Sequence, residues 1–348
     1  MKDIKKFINT QILSKNAQIL SKNLPPNTKF CAVVKSNAYG HGLNTVCSCI
    51  DSYVDCFAVA NNHEAVQIKH KFPNKKVLVL GNLSTNYLRS AIKMGVTFCI
   101  SNISEINILE HFASKLNLNA DFHLKLNTGM NRLGVKTVAE VQKIWGSLSN
   151  YRHLNLSGIF SHIGDGKNKK RTQKQLKTFQ KLTAFCPSYI QKHLASSIFC
   201  DYPDLCFDMV RAGISLYGYA KNTTPCLQIN ARILEIQNIQ KGEYIGYGSR
   251  HKAKKSGKIA ILAIGYSDGL PRLWAKNGYV LVNGKQANFC ADICMNMCLV
   301  DITNIDADIN DYAVILGKSG DKQITAKDIA RACKTIPYEI LTNFKKIT

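Results

Sequence analysis

The stretch FCAVVKSNAYGHGLNTVCSCIDSYVDCFAVAN, residues 30–61, holds two short apolar runs, FCAVVK (30–35) and CFAVAN (56–61), separated by a helix-like interval. Each run is rich in apolar residues and closes on a polar one, as a buried parallel strand does. The figure recurs in KVLVLG (76–81), TFCIS (97–101), DFHLKLN (121–127), LSGIFSH (156–162), IQKHLASS (190–197) and MVRAGIS (209–215). Between these runs lie longer amphipathic stretches such as ISEINILEHFASKL (103–116) and TVAEVQKIWGSL (137–148). Asn102 or Ser104 is placed to cap the first of them, with Glu105 in its first turn. Eight strands alternating with helices predict an α/β fold, a (β/α)8 barrel of the TIM type over residues 1–220. Beyond it the period falls to two in ARILEIQNI, KIAILAIGY, GYVLVNGKQANFC and ICMNMCLVDIT, broken by glycines. That pattern predicts a mainly-β domain over 221–348, with a helix at TAKDIARACK (325–334).

Composition narrows the function. The chain of 348 residues is 45% hydrophobic, enough to bury a full core. It has no apolar run long enough to span a membrane, and its start, MKDIKKFINTQIL, lacks the apolar centre of a secretory signal, so a cytoplasmic location is expected. The charge of +23 raises the question of nucleic acid, but the lysines are spread along the chain. The one dense run, KNKKRTQKQLK (167–177), reads as the solvated face of a helix, so no nucleic-acid partner is expected. Thirteen cysteines in so long a chain read as reduced thiols. Cys290, Cys294 and Cys298 recur every fourth residue, but with no His or CxxC pair beside them they read as small hydrophobes, and no metal is expected.

In such barrels the working residues sit at the C-terminal ends of the strands. The polar residues there are Lys35, Asn61, Asn127, His162, Ser196 with Ser197, and Ser215. A lysine in a barrel mouth is partly desolvated, so its neutral amine is accessible and can form a Schiff base with an aldehyde cofactor.

Around that lysine, VVKSNAYGHG resembles the lysine signature of alanine racemases, with Tyr39, His41 and Gly42 in place. Further matches follow in the family's order. They are LKLNTGMNRLG (124–134), SHIGD (161–165), KHLASS (192–197), MVRAGISLYG (209–218), IGYGSR (245–250), AIGYSDGLPR (263–272), ICMNM (293–297) and IPYE (336–339). The resemblance implies a pyridoxal-phosphate (PLP) enzyme that interconverts L-alanine and D-alanine to supply peptidoglycan, or else a broad-specificity or serine-type racemase of the same family. It also implies a homodimer with shared active sites.

By position, the resemblance implies that Lys35 holds PLP and is the base on one face of the substrate. Tyr247, from the other subunit, would be the base on the opposite face. Arg211 would face the pyridine nitrogen, and Tyr39, Ser197, Gly213, Ile214 and Tyr338 would bind the phosphate. Arg132 would bind the cofactor's phenolic oxygen and the substrate carboxylate, helped by the backbone of Met295. His162 would pack by the ring and link Arg211 to Tyr247. Lys125 matches a position that is often carbamylated to hold the arginine, and Tyr266 would line the entrance. The chemistry suits the set: racemisation removes a Cα proton and returns one to the other face, so two opposed bases serve better than one.

Several positions depart from the family's pattern. Asn127 stands for an aspartate, Ser196 for an asparagine, Ala212 for a proline, Asp292 for an arginine and Asn296 for an aspartate. Asp292 would reverse a charge in the outer corridor, which predicts weak tolerance of serine or basic amino acids beside alanine. Two rivals share the barrel. A PLP-binding homeostasis protein lacks the β domain, and a barrel-type decarboxylase pairs the pyridine nitrogen with a carboxylate rather than an arginine.

Overall fold

A computed structural model of the chain describes residues 3–194, 197, 199 and 202–347. The chain forms two compact units, one of Leu13–Ala38 with Leu43–Thr224, the other of the residues up to Ile12, Tyr39–Gly42 and those from Pro225 onward.

The first unit is a parallel barrel. Its strands are β2 (Lys29–Val33), β3 (Cys56–Val59), β4 (Lys76–Val79), β5 (Phe98–Ile100), β6 (Ala120–Lys125), β7 (Leu154–Phe160), β8 (Gln191–His193) and β9 (Met209–Ala212). All eight lie within the runs expected from the sequence or within two residues of them. One arc runs β4-β3-β2-β9 and the other β5-β6-β7-β8. The arcs are joined by Thr97 N donating to Val77 O (2.9 Å) and Asp208 N donating to Lys192 O (3.0 Å), which closes the ring. Phe57, Phe98 and Phe122 are fully buried, each contributing about 2–3 kcal/mol.

Helices start where side chains satisfy their first amides. Asn61 caps Asn62–Lys71, and Asn102 caps Ile103–Leu116 by accepting from Glu105 N, the first of the two caps foreseen. Thr137 and Glu140 form a reciprocal capping box before Val138–Ser147. The basic run becomes the helix Lys169–Thr183, which buries Leu176, Phe179 and Leu182 and leaves Lys170, Lys174 and Lys177 exposed.

The second unit is built on an antiparallel sheet. The strand β1 (Ile4–Ile8), not foreseen in the sequence, pairs with β10 (Leu227–Ile239). A two-stranded ribbon follows, β11 (Tyr244–Ile245) with β12 (His251–Lys252). The rest comprises β13 (Gly257–Leu262), β14 (Tyr279–Val282), β15 (Lys285–Asn288), β16 (Cys298–Asp301), β17 (Tyr312–Ser319) and β18 (Lys322–Ile324). Two helices close it, Ala326–Ala332 as expected and Pro337–Asn343, which the sequence pattern did not reveal. Of the three spaced cysteines only Cys298 lies in a strand, where it is buried. Among the described residues no helix is long and apolar enough to cross a membrane.

Candidate active site

The first strand of the barrel ends at Val33, two residues before Lys35. Lys35 instead opens a left-handed turn, with φ of 56° at Ser36, 54° at Asn37, 53° at Ala38 and 53° at Tyr39. Such a conformation costs roughly 1–2 kcal/mol per residue, so the surroundings must hold it. Glu64 does much of this: its carboxylate accepts from Ser36 N (2.6 Å) and Ala60 N (2.9 Å). Asn37 Oδ1 accepts from Leu43 N (2.7 Å), and Ala38 N donates to Val34 O (2.8 Å). Asn61 and Glu64 follow an Asn-x-x-Glu cap pattern legible in the sequence. That Glu64 also grips the lysine turn is not.

Burial lowers the Lys35 amine from its ordinary range, the Arg132 guanidinium lowers it further, and Glu64 partly opposes them. Lys125 ends β6, is buried, and sits with its amine 4.0 Å from the Phe160 ring centroid. Burial first, then Arg211, draws it down to about 7. His162 is half-buried and held well below its ordinary range by burial and by Arg211, Lys125, Arg132 and Lys35. Among the groups felt at Lys35, Lys125 and His162, Glu64 is the one carboxylate.

Arg211, on β9, is 4% exposed. Its Nη1 donates to His193 Nδ1 and to His193 O (3.1 Å), and its Nη2 donates to Ser161 O (2.6 Å). The expected link from His162 to Arg211 is not among the hydrogen bonds of the described residues; His193 stands beside the guanidinium instead. Arg211 falls to about 10 through burial and remains charged at neutral pH.

The Arg132 loop is set by Gly134, whose φ is +108° and where a Cβ would lie 2.5 Å from Lys125 O. Asn127 Oδ1 accepts from Gly129 N (3.1 Å) and Asn131 N (3.0 Å), so the amide makes the loop's turn bonds without a carboxylate's charge. Gln175 ties this loop to its neighbour, with Nε2 donating to Thr128 Oγ1 (3.1 Å) and to His162 O (3.0 Å). Ser197 Oγ accepts from Gly213 N (3.0 Å) and Ser215 N (3.3 Å), beside Ile214. Ser215 Oγ is buried with no partner among the described residues. Ala212 is buried in β9, and Ser196 lies outside the described residues.

In the second unit Tyr39 is buried with its ring 5.9 Å from that of Tyr338, which is 41% exposed. Burial raises both phenols. Tyr247 is 74% exposed, on the turn between β11 and β12, flanked by Gly246 and Gly248, each with φ of 72°. Met295 O accepts from Ser267 N (3.0 Å), next to Tyr266, and packs where a Cβ on Gly265 would lie 2.1 Å away. Asn296 Nδ2 donates to Ser267 Oγ (2.8 Å). Asp292 is approached by three basic side chains: His251 Nε2 at 3.3 Å, Arg272 Nη2 at 3.5 Å and Arg250 Nη1 at 3.7 Å. The lone negative charge expected there is therefore countered by its neighbours.

A parallel barrel that gathers a half-buried lysine among cations, in a chain with a separate β unit, has the frame of a lysine-bearing barrel enzyme. The family described as alanine racemase, N-terminal domain, matches residues 8–221, and that described as alanine racemase, C-terminal domain, matches residues 226–348. An alanine racemase of Thermodesulfovibrio yellowstonii is 32% identical over 330 residues, covering 93% of this chain and 89% of the relative. Alanine racemase 2 of Caldanaerobacter subterraneus is 32% identical over 350 residues, covering 96% and 90%. Among solved structures, the alanine racemase of Clostridium difficile matches with a TM-score of 0.91 at 29% identity over 98% of this chain and 93% of that one. That of Bartonella henselae, with covalently bound pyridoxal phosphate, matches with a TM-score of 0.88 at 26% identity over 99% and 98%. The chain belongs to the alanine racemase family.

Proposed function

We propose that the chain interconverts L-alanine and D-alanine with Lys35 and Tyr247 as opposed bases, supplying D-alanine for peptidoglycan. The observation that carries the reading is the cationic mouth of the barrel. Lys35, Lys125 and Arg211 feel one another and Arg132 with Glu64 as the one carboxylate among them, a balance that suits an anionic ligand. Pyridoxal phosphate fits: Lys35 has an amine lowered from its ordinary range by burial, and Ser215 Oγ is a buried hydroxyl without a partner among the described residues, beside the Gly213–Ile214 turn. When bound, it withdraws electrons from the substrate Cα and so acidifies the Cα proton.

Lys35 would anchor the cofactor by its amine and move the proton on one face. Tyr247 of a second copy would move the proton on the other through its hydroxyl. Arg211 would face the pyridine nitrogen, and because its charge persists it would leave that nitrogen unprotonated. Tyr39, Ser197, Gly213, Ile214 and Tyr338 would bind the phosphate, and Arg132 with the Met295 backbone would orient the substrate carboxylate. His162 would pack beside the ring, Tyr266 would line the entrance, and Lys125, with much of its amine neutral, is suited to carbamylation. The described cysteines are all free thiols, which supports the cytoplasm as the working compartment. Purified protein incubated with single L-amino acids and read by chiral chromatography tests this: D-alanine should form fastest. Faster racemisation of serine or a basic amino acid would replace alanine as the substrate.

A further inference from the structure

His193 does not end the chain of hydrogen bonds that begins at Arg211. Its Nε2 lies 2.8 Å from Nδ1 of His123, two strands away in the same arc, and its ring stacks on Phe160 at 4.8 Å with an interplanar angle of 2°. His123 is 6% exposed, in the middle of β6, two residues before Lys125 and so on the same face of the strand.

The barrel is built around this imidazole. The register between β6 and β7 shifts at Phe122/His123. Opposite it stands Gly158, where a Cβ would lie 2.7 Å from His123 Nε2. A leucine layer would need neither accommodation. His123 also lines a cavity at the opposite end of the barrel from Lys35, together with Asp121, Ser157, Gln191 and Met209.

Arginine only donates, so His193 Nδ1 must offer its lone pair to Arg211. A neutral His193 then carries its proton on Nε2 and donates it to His123 Nδ1. His123 in turn carries its proton on Nε2. We propose that His123 is a positioning residue: by accepting from His193 it fixes the tautomer that accepts from Arg211, and so holds the guanidinium in place from beneath. Its effect on turnover rests on the reading that Arg211 faces the pyridine nitrogen. The burial of both rings among cations, which holds His193 well below its ordinary range and His123 down to about 3, keeps them neutral as the scheme requires.

The test uses the holoenzyme labelled with 15N-histidine at mildly alkaline pH. Long-range proton–nitrogen spectra should show His193 and His123 neutral, each protonated on Nε2. A His193 protonated on Nδ1, or on both nitrogens, overturns the proposal without any variant. His123→Asn places Oδ1 near the lost Nδ1, so it should keep the His193 tautomer and hold kcat within about twofold. His123→Leu should populate the Nδ1-protonated form of His193 and lower kcat about tenfold, the worth of one buried hydrogen bond, with KM for L-alanine little changed. A leucine variant that keeps both the tautomer and kcat overturns the proposal, as does an asparagine variant that folds but loses the tautomer. If the leucine variant does not fold, the unsubstituted and asparagine spectra decide. Failure of the unsubstituted protein to racemise alanine would strike the functional reading instead and leave the histidine resonances as they are.

Discussion

Lys35 and Tyr247, the two proposed bases, sit in opposite kinds of surroundings. Lys35 opens a left-handed turn tied to Glu64, among cations that the barrel itself supplies. Tyr247 stands 74% exposed between two glycines with positive φ, and Met295, at 56%, is scarcely less exposed. One half of the chemistry is prebuilt by local hydrogen bonds. The other half is presented on a turn that gains a dry environment only when another surface covers it, and a base that passes protons selectively needs such an environment. A second copy of the chain, as proposed, would supply that cover.

The largest effect should fall on the prebuilt half. Lys35→Ala should cut racemisation by at least about a thousandfold and leave the purified protein without its yellow cofactor band. Substantial D-alanine formation by that variant would show that the turn is structural and the lysine incidental.

Tyr247→Phe should cost about a hundredfold in solvent-deuterium exchange from L-alanine and less in exchange from D-alanine. Its unfolding temperature should stay within about 2 °C of the unsubstituted protein, because the hydroxyl of an exposed turn residue contributes little to packing. Equal losses from both enantiomers would argue against separate bases. Mixing Lys35→Ala with Tyr247→Phe sharpens the comparison: if each site draws on both copies, random exchange should restore about a quarter of the sites. No recovery in proven heterodimers would mean that Tyr247 serves its own subunit.

A smaller effect, read as a slope, comes from Lys125. Its amine titrates at about 7 in the folded chain, below its ordinary value of 10.5. Between those two values the unfolded chain binds the proton and the folded chain does not, so stability should rise with pH across that window. Below it the buried charge costs a constant amount. Lys125→Met should therefore stabilise the chain most below neutrality, and its advantage should shrink by up to about 1.4 kcal/mol per pH unit as pH rises. Denaturant midpoints across that range measure it. An advantage independent of pH would mean that Lys125 is charged while buried.

The barrel was legible because eight apolar runs, each bounded by a cap or a turn residue, carry their own signal, as at Asn102 with Glu105. The site was legible where a motif is contiguous, as around Lys35 and Arg132. What escaped is non-local. The strand Ile4–Ile8 is short and lysine-rich, and becomes a strand only because β10 pairs with it. Glu64 follows Asn61 by three residues in a helix's first turn, and nothing in its neighbours shows that it grips Ser36. His193 lay inside a recognised motif, but its partnership with Arg211 and with His123 depends on which strands close the ring.

The smallest effect should come from Asp292, and it tests whether the exposed half can steer substrate by charge. Read alone, an aspartate in place of an arginine predicts a corridor friendlier to basic amino acids. The structure surrounds it with Arg250, His251 and Arg272, and two guanidiniums against one carboxylate leave the cluster positive even with His251 neutral. Those three side chains are 69%, 38% and 58% exposed, so salt within a Debye length of about 10 Å screens what field remains. Asp292→Arg removes these three weak contacts and adds a cation to a rim that is already cationic; the neighbouring side chains can swing apart into water. The ratio of alanine to lysine turnover should accordingly change by less than about threefold, at low salt and at high. A change well beyond that at low salt, collapsing at high salt, would show that the carboxylate's field reaches the incoming substrate despite its neighbours. The exposed half would then select by charge as well as complete the site.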